Sequence, residues 1–244
     1  RTVVFAVAGR TTSSGVFFAP VNVTGFNADV VIEKEQMLWW ANNDALWPPG
    51  LFSATTASMD NGTNNFAWTW YERGYNTNAP TPGLPPADSL IDSKSNPTRH
   101  YKMPATYVGP NAVLIDTNNQ VANITPVTPD SFTSISLLTA GASIGGNNVM
   151  TNFCVVQLAD GTAETNVFYG YDWFNGQAAP AFIADGRVNL NSRTIGNQYG
   201  GNPKLFESQF VLKNTSSQVT NILVGYRTAG GANWTTYVLA MSGR

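Results

Sequence analysis

The chain contains few residues that could perform chemistry, and most of them are carboxylates. Glu33 and Glu35 alternate in the run VVIEKEQM, and in an extended strand they would share one face about 7 Å apart. A pair of carboxyl groups at that separation suits a glycoside hydrolase. The alternative, which we favour, is a solvent-facing strand with Lys34 on its opposite side.

Other catalytic and metal-binding motifs are incomplete, because residues that they require are missing from the sequence. His100 is the only histidine, and no G-x-S-x-G turn accompanies it to support a Ser-His-Asp triad. One histidine and the single cysteine, Cys154, cannot supply the ligands of a zinc site. Cys154 lies in the apolar run VMTNFCVVQL, which predicts a buried thiol. Glu72 and Asp172 each follow aromatic residues, where they could hydrogen-bond sugar hydroxyls or orient a neighbouring arginine.

One turn could hold a structural calcium ion. The segment MDNGTNN offers Asp60, Asn61 and Asn64 together with backbone carbonyls, and calcium is bound by such oxygen atoms. An ordinary Asn-Gly turn explains the same residues. Apart from this ion, the sequence predicts no cofactor.

Tryptophan is concentrated in one part of the chain. Five of the seven tryptophans lie between Trp39 and Trp70, and tryptophan stacks well on flat apolar surfaces such as sugar rings. Trp47 precedes two prolines that stiffen its loop. We therefore predict that Trp39, Trp40 and Trp47 form an exposed carbohydrate-binding surface.

Residues that follow this region could complete the surface. The predicted flanking residues are Arg73, Tyr75 and Asn76. In the run FAWTWYE, strand alternation places Trp68 and Trp70 on one face. Large aromatic residues on one strand face are usually core, and we predict that here.

Strands are predicted almost throughout, because short apolar or β-branched runs alternate with turn residues and no segment has helical periodicity. They span residues 2–7, 16–24, 28–37, 66–72, 111–116, 131–138, 148–158, 164–171, 186–190, 204–213, 219–227 and 233–241. Long loops are expected at about 38–65 and 73–98. We predict a single domain, residues 1–244, with the all-β fold of an antiparallel β-sandwich of jelly-roll type.

The composition limits the classes of binding partner that we expect. Charged residues make up 11% of the chain, the net charge is −2 and no basic run occurs, so a nucleic-acid partner is not expected. No apolar stretch is long enough to insert into a membrane. The surface must instead be rich in amides and hydroxyls, which favours a secreted protein that meets neutral ligands.

A family resemblance points the same way. The stretch from Ala112 to Phe174 contains VLID, ITP, SISLLTAG, VVQLADGT and GYDWF in that order, and NPKLFESQFVL and WTTYVLAMSG continue the pattern. This pattern resembles accessory β-sandwich modules of secreted bacterial glycan-degrading proteins. The resemblance implies a carbohydrate-associated, extracellular jelly-roll module without activity of its own.

Three functions are compatible with these observations. The first is non-catalytic binding of a neutral polysaccharide by stacked aromatic side chains. The second is a structural subunit of an extracellular assembly, such as a surface layer, fibre or capsid, which requires self-association. The third is a glycoside hydrolase with a carboxylate pair. Because catalytic residues are sparse, the sequence favours binding over catalysis.

Overall fold

The structure is a computed structural model that describes residues 17–42, 56–60, 62, 67–75, 82–142, 149–198, 200–226 and 234–244. Several sequence-based predictions lie outside these residues. They concern the strand at 2–7, the binding residues Trp47 and Asn76, and the calcium ligands Asn61 and Asn64.

Short strands make up most of the described structure. In chain order the elements are β1 (Ala19–Val21), β2 (Val23–Thr24), β3 (Val31–Ile32), α1 (Lys34–Asn42), β4 (Trp68–Tyr71), β5 (Leu90–Asp92), β6 (His100–Lys102), β7 (Val113–Ile115), β8 (Val121–Pro126), β9 (Ser134–Ala142), β10 (Val149–Leu158), β11 (Ala163–Tyr171), β12 (Phe182–Ile183), β13 (Arg187–Asn189), β14 (Ile195–Gly196), β15 (Lys204–Val211), β16 (Val219–Tyr226) and β17 (Thr235–Gly243). None of the described residues belongs to a helix that is long and apolar enough to cross a bilayer.

Two antiparallel sheets form a sandwich. The central sheet has the strand order β1-β17-β9-β15-β12, with β7 also paired to β17, and the outer sheet has the order β11-β10-β16-β8-β2. Side chains from both sheets form one buried cluster between them, for example Ile135 and Leu137 with Val156 and Phe168. The structure therefore confirms the predicted all-β class and the antiparallel sandwich. The jelly-roll pattern of connections stays a prediction.

The two sheets differ in how their faces are covered. Along β10 every second residue is buried, as strand alternation predicts when one face meets solvent. Along β9 and β17 all residues are buried. Leu138 and Leu239 join Trp70 and Trp173 in a second buried cluster, on the opposite face from the outer sheet. The central sheet is therefore covered on both sides.

A small sheet with the order β14-β13-β4-β3 covers this second face. Val31 and Trp70 belong to the second cluster, whereas the next residues in sequence, Ile32 and Tyr71, belong to a third cluster. Successive strand residues point to opposite faces, so both faces of the small sheet are buried at these positions. The predicted core position of Trp70 is confirmed, and Trp68 is half-buried at the start of β4.

Helix α1 packs against the far face of the small sheet. Met37 is buried there with Tyr71 in the third cluster. The strand predicted over 28–37 and the loop predicted after it are wrong beyond Ile32, where β3 ends and α1 soon begins. Four layers follow one another: the outer sheet, the central sheet, the small sheet and α1.

The start of α1 is held by two acceptors. The backbone carbonyl of Glu33 accepts from the amides of Gln36 and Met37. The Glu72 carboxylate accepts a 2.9 Å hydrogen bond from the amide of Lys34. An acidic group at this end also interacts favourably with the helix dipole. Glu72, a candidate sugar ligand from the sequence, thus caps the helix.

Candidate ligand-binding site

Six side chains meet where the small sheet approaches the end of β11. They comprise one arginine, two carboxylates and three aromatic residues, and we call them the Arg187 cluster: Asp60, Trp68, Asp172, Trp173, Phe174 and Arg187. The arginine and two of the aromatic residues, Trp68 and Phe174, are half-buried, so the cluster reaches the surface.

Strand ends position these residues. Trp68 is the first residue of β4 and Arg187 the first of β13, and the two strands are antiparallel, with Asn189 opposite Trp68. β11 ends at Tyr171, so the three following residues of the cluster leave the sheet together. The amide of Trp173 donates to the carbonyl of Gly141 at 2.7 Å, which fixes this turn against the central sheet.

The guanidinium of Arg187 is clamped between aromatic rings. Its central carbon lies 4.4 Å from the ring centroid of Trp68, 4.0 Å from that of Phe174 and 5.9 Å from that of Trp173. Such contacts attract a cation to the ring face. Nε donates to Oδ1 of Asn197 at 3.0 Å. Within the described residues the guanidinium makes no other hydrogen bond, so its remaining N–H groups are available to a ligand.

The two carboxylates are held by neutral donors. The indole Nε1 of Trp173 donates to Oδ1 of Asp60 at 2.9 Å. Oδ1 of Asp172 accepts from the amides of Phe174 at 2.9 Å and Asn175 at 2.7 Å. Each carboxylate is therefore fixed in orientation before any ligand arrives.

Burial and charge compete within the cluster. Burial raises the pKa of Asp60, while the hydrogen bond from Trp173 and the charge of Arg187 oppose this rise. The charge of Asp172 raises the pKa of Asp60 further, because like charges repel. Burial lowers the pKa of Arg187, and both carboxylates counteract that change. With one cation between two carboxylates, the cluster carries no excess positive charge.

Trp68 is confined on more than one side. A Cβ on Gly196 of β14 would lie 3.0 Å from Cη2 of the Trp68 indole, so glycine lets β14 approach the ring. Behind it, Trp70 and Trp173 meet edge to face, with centroids 4.8 Å apart and an interplanar angle of 71°. The indole rings of Trp68 and Trp173 beside Arg187 are thus confined by their neighbours.

The tryptophans predicted from sequence lie elsewhere. Trp39 and Trp40 are half-buried on α1, not in an extended loop. Trp40 packs against the third cluster, and the guanidinium of Arg193 lies 6.0 Å from its ring centroid. The small sheet separates this region from the Arg187 cluster. The structure does not join Trp40 to the other aromatic residues as one surface.

Arg73 and Tyr75, the two predicted flanking residues that the structure describes, differ in their exposure to solvent. Arg73 is exposed, as a binding residue would be. Tyr75 is buried, with its ring 5.5 Å from Tyr71 and its hydroxyl accepting from Nε2 of Gln198 at 3.0 Å. The ring completes the third cluster and leaves little surface for a sugar, so the role of Tyr75 as a flanking residue stays a prediction.

The remaining chemical candidates occupy structural positions. Glu33 is buried before α1 and Glu35 is exposed on the helix, so neither the carboxylate pair on one strand face nor the favoured solvent-facing strand is present. His100 pairs with Asp92 at 2.7 Å. The buried position predicted for Cys154 is confirmed, and burial raises the pKa of its thiol to about 12.

The predicted calcium turn is only partly described. Asp60, the one candidate side-chain ligand that the structure describes, accepts a hydrogen bond from Trp173 and lies near the positive charge of Arg187. Among the residues the structure describes, no group of three or more His, Cys, Asp or Glu side chains could hold a metal ion. Comparisons with known protein families and with curated proteins give no match to this chain.

Proposed function

We propose that the chain binds a neutral polysaccharide outside the cell, without cleaving it, through the Arg187 cluster. One observation carries the proposal: a guanidinium clamped between two aromatic rings and near two carboxylates, which among the described residues donates a hydrogen bond only from Nε to Asn197. The aromatic binding surface expected from sequence is thereby moved from Trp39 and Trp40 to Trp68 and Phe174.

The donors and acceptors match sugar hydroxyls. A hydroxyl group both donates and accepts hydrogen bonds. The guanidinium of Arg187 can only donate, whereas a carboxylate such as that of Asp172 accepts. Within the described residues Asp172 accepts only at Oδ1, which leaves Oδ2 for a hydroxyl. An arginine and a carboxylate side by side can therefore contact two neighbouring hydroxyls of one sugar.

The aromatic residues supply the apolar part of the contact. The exposed portions of Trp68 and Phe174 offer surfaces for the C–H groups of a sugar ring. Because Arg187 covers part of both rings, we expect contacts at their uncovered parts and edges. The rigid clamp reduces the side-chain entropy lost on binding.

The electrostatics favour a neutral ligand. Two carboxylates flank a single guanidinium, and the whole chain has a net charge of −2. A sulfated or uronic-acid polymer would meet like charge at the site, which opposes its binding. A neutral polysaccharide meets no such repulsion.

One observation also supports glycoside hydrolysis as a second candidate. Asp60 and Asp172 interact electrostatically, and burial raises the pKa of Asp60. Two carboxyl groups in unlike environments are the arrangement of a general acid and its partner. Binding is the better-supported function, because Asp60 and Asp172 already accept hydrogen bonds from Trp173 and two backbone amides.

Affinity electrophoresis through gels that contain neutral polysaccharides tests the proposal. We expect at least one polymer to retard the protein. Arg187→Lys, which keeps the charge but loses the planar fork, should abolish the retardation. Arg193→Lys is the matched control, since its guanidinium also lies over a tryptophan.

Two results would contradict this function. One is unchanged mobility on every polysaccharide, and the other is equal retardation of the wild type and Arg187→Lys. A reducing-sugar assay on the same polymers separates the second candidate. Sugar release that Asp60→Asn abolishes would establish a hydrolase instead.

A further inference from the structure

The solvent-facing side of the outer sheet is uncharged. The strands β8, β10, β11 and β16 contain a single charged residue, Glu164. It lies opposite Val156 in the register, and Val156 points into the sandwich. Glu164 therefore occupies an inward-facing position of β11 and does not lie on the solvent-facing side. Its carboxylate accepts hydrogen bonds from the backbone amides of Lys213 and Asn214. We call the outward positions of these four strands the outward face.

Apolar side chains occupy the middle of this face. Val155 lies opposite Leu223 on β16, and Phe153 lies opposite Val167 on β11. Gly225 on β16 makes room for Phe153: a Cβ there would be 2.7 Å from Cζ of the ring. The phenyl ring thus lies close to the backbone of β16, and the middle of the face is flat.

Neutral polar side chains border the apolar middle at one end. Nδ2 of Asn221 donates to Oε1 of Gln157 and to Oδ1 of Asn123, both at 2.9 Å. Oδ1 of Asn221 accepts from Thr125 at 3.0 Å. These contacts link side chains of β8, β10 and β16. An apolar middle with a polar border is the composition of a protein interface.

The face, not its edge, is the accessible part of the sheet. Val121, Tyr169 and Val149 on it are 51%, 43% and 37% exposed. The edge strand β11 is covered from the central sheet, where Thr139 donates to the carbonyl of Tyr169 and Ser208 accepts from its amide, each at 3.3 Å. These contacts occupy the backbone groups of Tyr169, so another strand cannot pair with β11 at that residue.

We propose that the outward face binds the same face of a second copy of this chain, forming a symmetric dimer. In a two-fold dimer each surface meets an identical surface. A face with charges at its centre would bring like charges together, and this face has none among its described residues. The inference is independent of the proposed carbohydrate site, which lies on the other side of the central sheet.

Size and chemistry favour a second copy over a polysaccharide here. The four strands contain 6, 10, 9 and 8 residues, and with a spacing of about 4.8 Å and a rise of about 3.4 Å per residue they cover roughly 540 Å² of flat sheet. That approaches the roughly 800 Å² that each partner buries in a standard interface. The aliphatic side chains Val155, Val167 and Leu223 at the centre pack well against another protein, and the rings of Phe153 and Tyr169 beside them add apolar area to the same contact.

Sedimentation equilibrium over a range of protein concentrations tests the dimer. A monomer has a mass of 26.2 kDa, and we expect the wild type to reach twice that value. Thr165→Lys places a charge on the face directly opposite Val155, and Thr165 is exposed, so the fold should persist. This variant should need at least tenfold higher concentration to dimerise.

Val211→Lys is the control, because Val211 is 65% exposed on β15 of the central sheet. It should dimerise like the wild type, as should Arg187→Lys. A wild type that stays monomeric at all concentrations, or a Thr165→Lys variant that associates normally, would overturn the dimer. If the wild type is monomeric and Thr165→Lys loses polysaccharide binding, the face belongs to a carbohydrate instead.

Discussion

The indole nitrogen of Trp173 donates a 2.9 Å hydrogen bond to the carboxylate of Asp60, which lies 113 residues earlier in the chain. Through this bond the turn after β11 is joined to the segment that precedes β4. Both partners belong to the Arg187 cluster, so the same contact contributes to stability and to the shape of the proposed sugar site.

Removing the donor should destabilise the protein. Trp173→Phe keeps a large aromatic ring but leaves the part-buried carboxylate of Asp60 without its indole partner, which costs about 1–3 kcal/mol. Urea denaturation of the wild type, Trp173→Phe, Asp60→Asn and the double variant gives the coupling energy of the pair. Additive effects of the two substitutions would show that the bond contributes nothing.

The stability should depend on pH through Asp60. Both folded and unfolded chains hold this proton below about pH 4. Because burial raises the pKa of Asp60 in the folded state, the free energy of unfolding falls as the pH rises from that value through the raised pKa, and then levels off. Asp60→Asn should lack this fall, as measured by denaturation at a series of pH values.

A second variant, at a carboxylate whose pKa is shifted in the opposite direction, serves as the control for this experiment. Hydrogen bonds from Thr162 lower the pKa of Asp160, so its contribution to stability is present above about pH 4 and is lost as the pH falls. The difference between the wild type and Asp160→Asn should therefore change in the other direction. Parallel pH profiles for the wild type and Asp60→Asn would contradict the assignment to Asp60.

The single thiol should be unreactive in the folded protein. Cys154 is buried between the two large sheets, and its pKa of about 12 leaves it protonated at pH 8. The thiolate is the reactive form. We expect no labelling by iodoacetamide at pH 8 in native buffer and complete labelling in guanidinium chloride. Rapid labelling of the native protein would contradict the burial.

Glu72 should stabilise the start of α1. Its two carboxylate oxygens accept from the amides of Lys34 and Ala87, both at 2.9 Å. Glu72→Ala removes both acceptors, and we expect a loss of about 1–3 kcal/mol with faster hydrogen exchange at the first amides of α1. Glu35→Ala, on the same helix but exposed beside Lys34, should leave exchange nearly unchanged. Equal exchange in both variants would argue against the cap.

The sequence predicted the strands well where one face meets solvent. The apolar run VMTNFCVVQL predicts a strand over 148–158, and β10 spans Val149–Leu158 with every second residue buried. The same reasoning missed α1, because the β-branched run before it dominated the interpretation of residues 28–37. A signal was present: Lys34 to Leu38 are five strong helix formers in succession.

The candidate site could not be predicted in the same way. The sequence suggests Asp60 as a calcium ligand, Trp68 as core and Asp172 as a sugar or arginine partner, each in isolation. Arg187 stands more than 100 residues from Trp68, and no local pattern links them. They meet only because β4 and β13 pair in the small sheet, which is a consequence of tertiary packing.

The indole proton of Trp173 offers the most direct test of the carbohydrate site. Its nuclear magnetic resonance signal, assigned with Trp173→Phe, can be followed while a polysaccharide that retards the protein is added. A ligand at the Arg187 cluster should shift this signal saturably in the wild type and in Arg193→Lys, and should not shift it in Arg187→Lys. If only the signals of Trp39 and Trp40 on α1 move, or if none does, the assignment of the site to the Arg187 cluster is wrong.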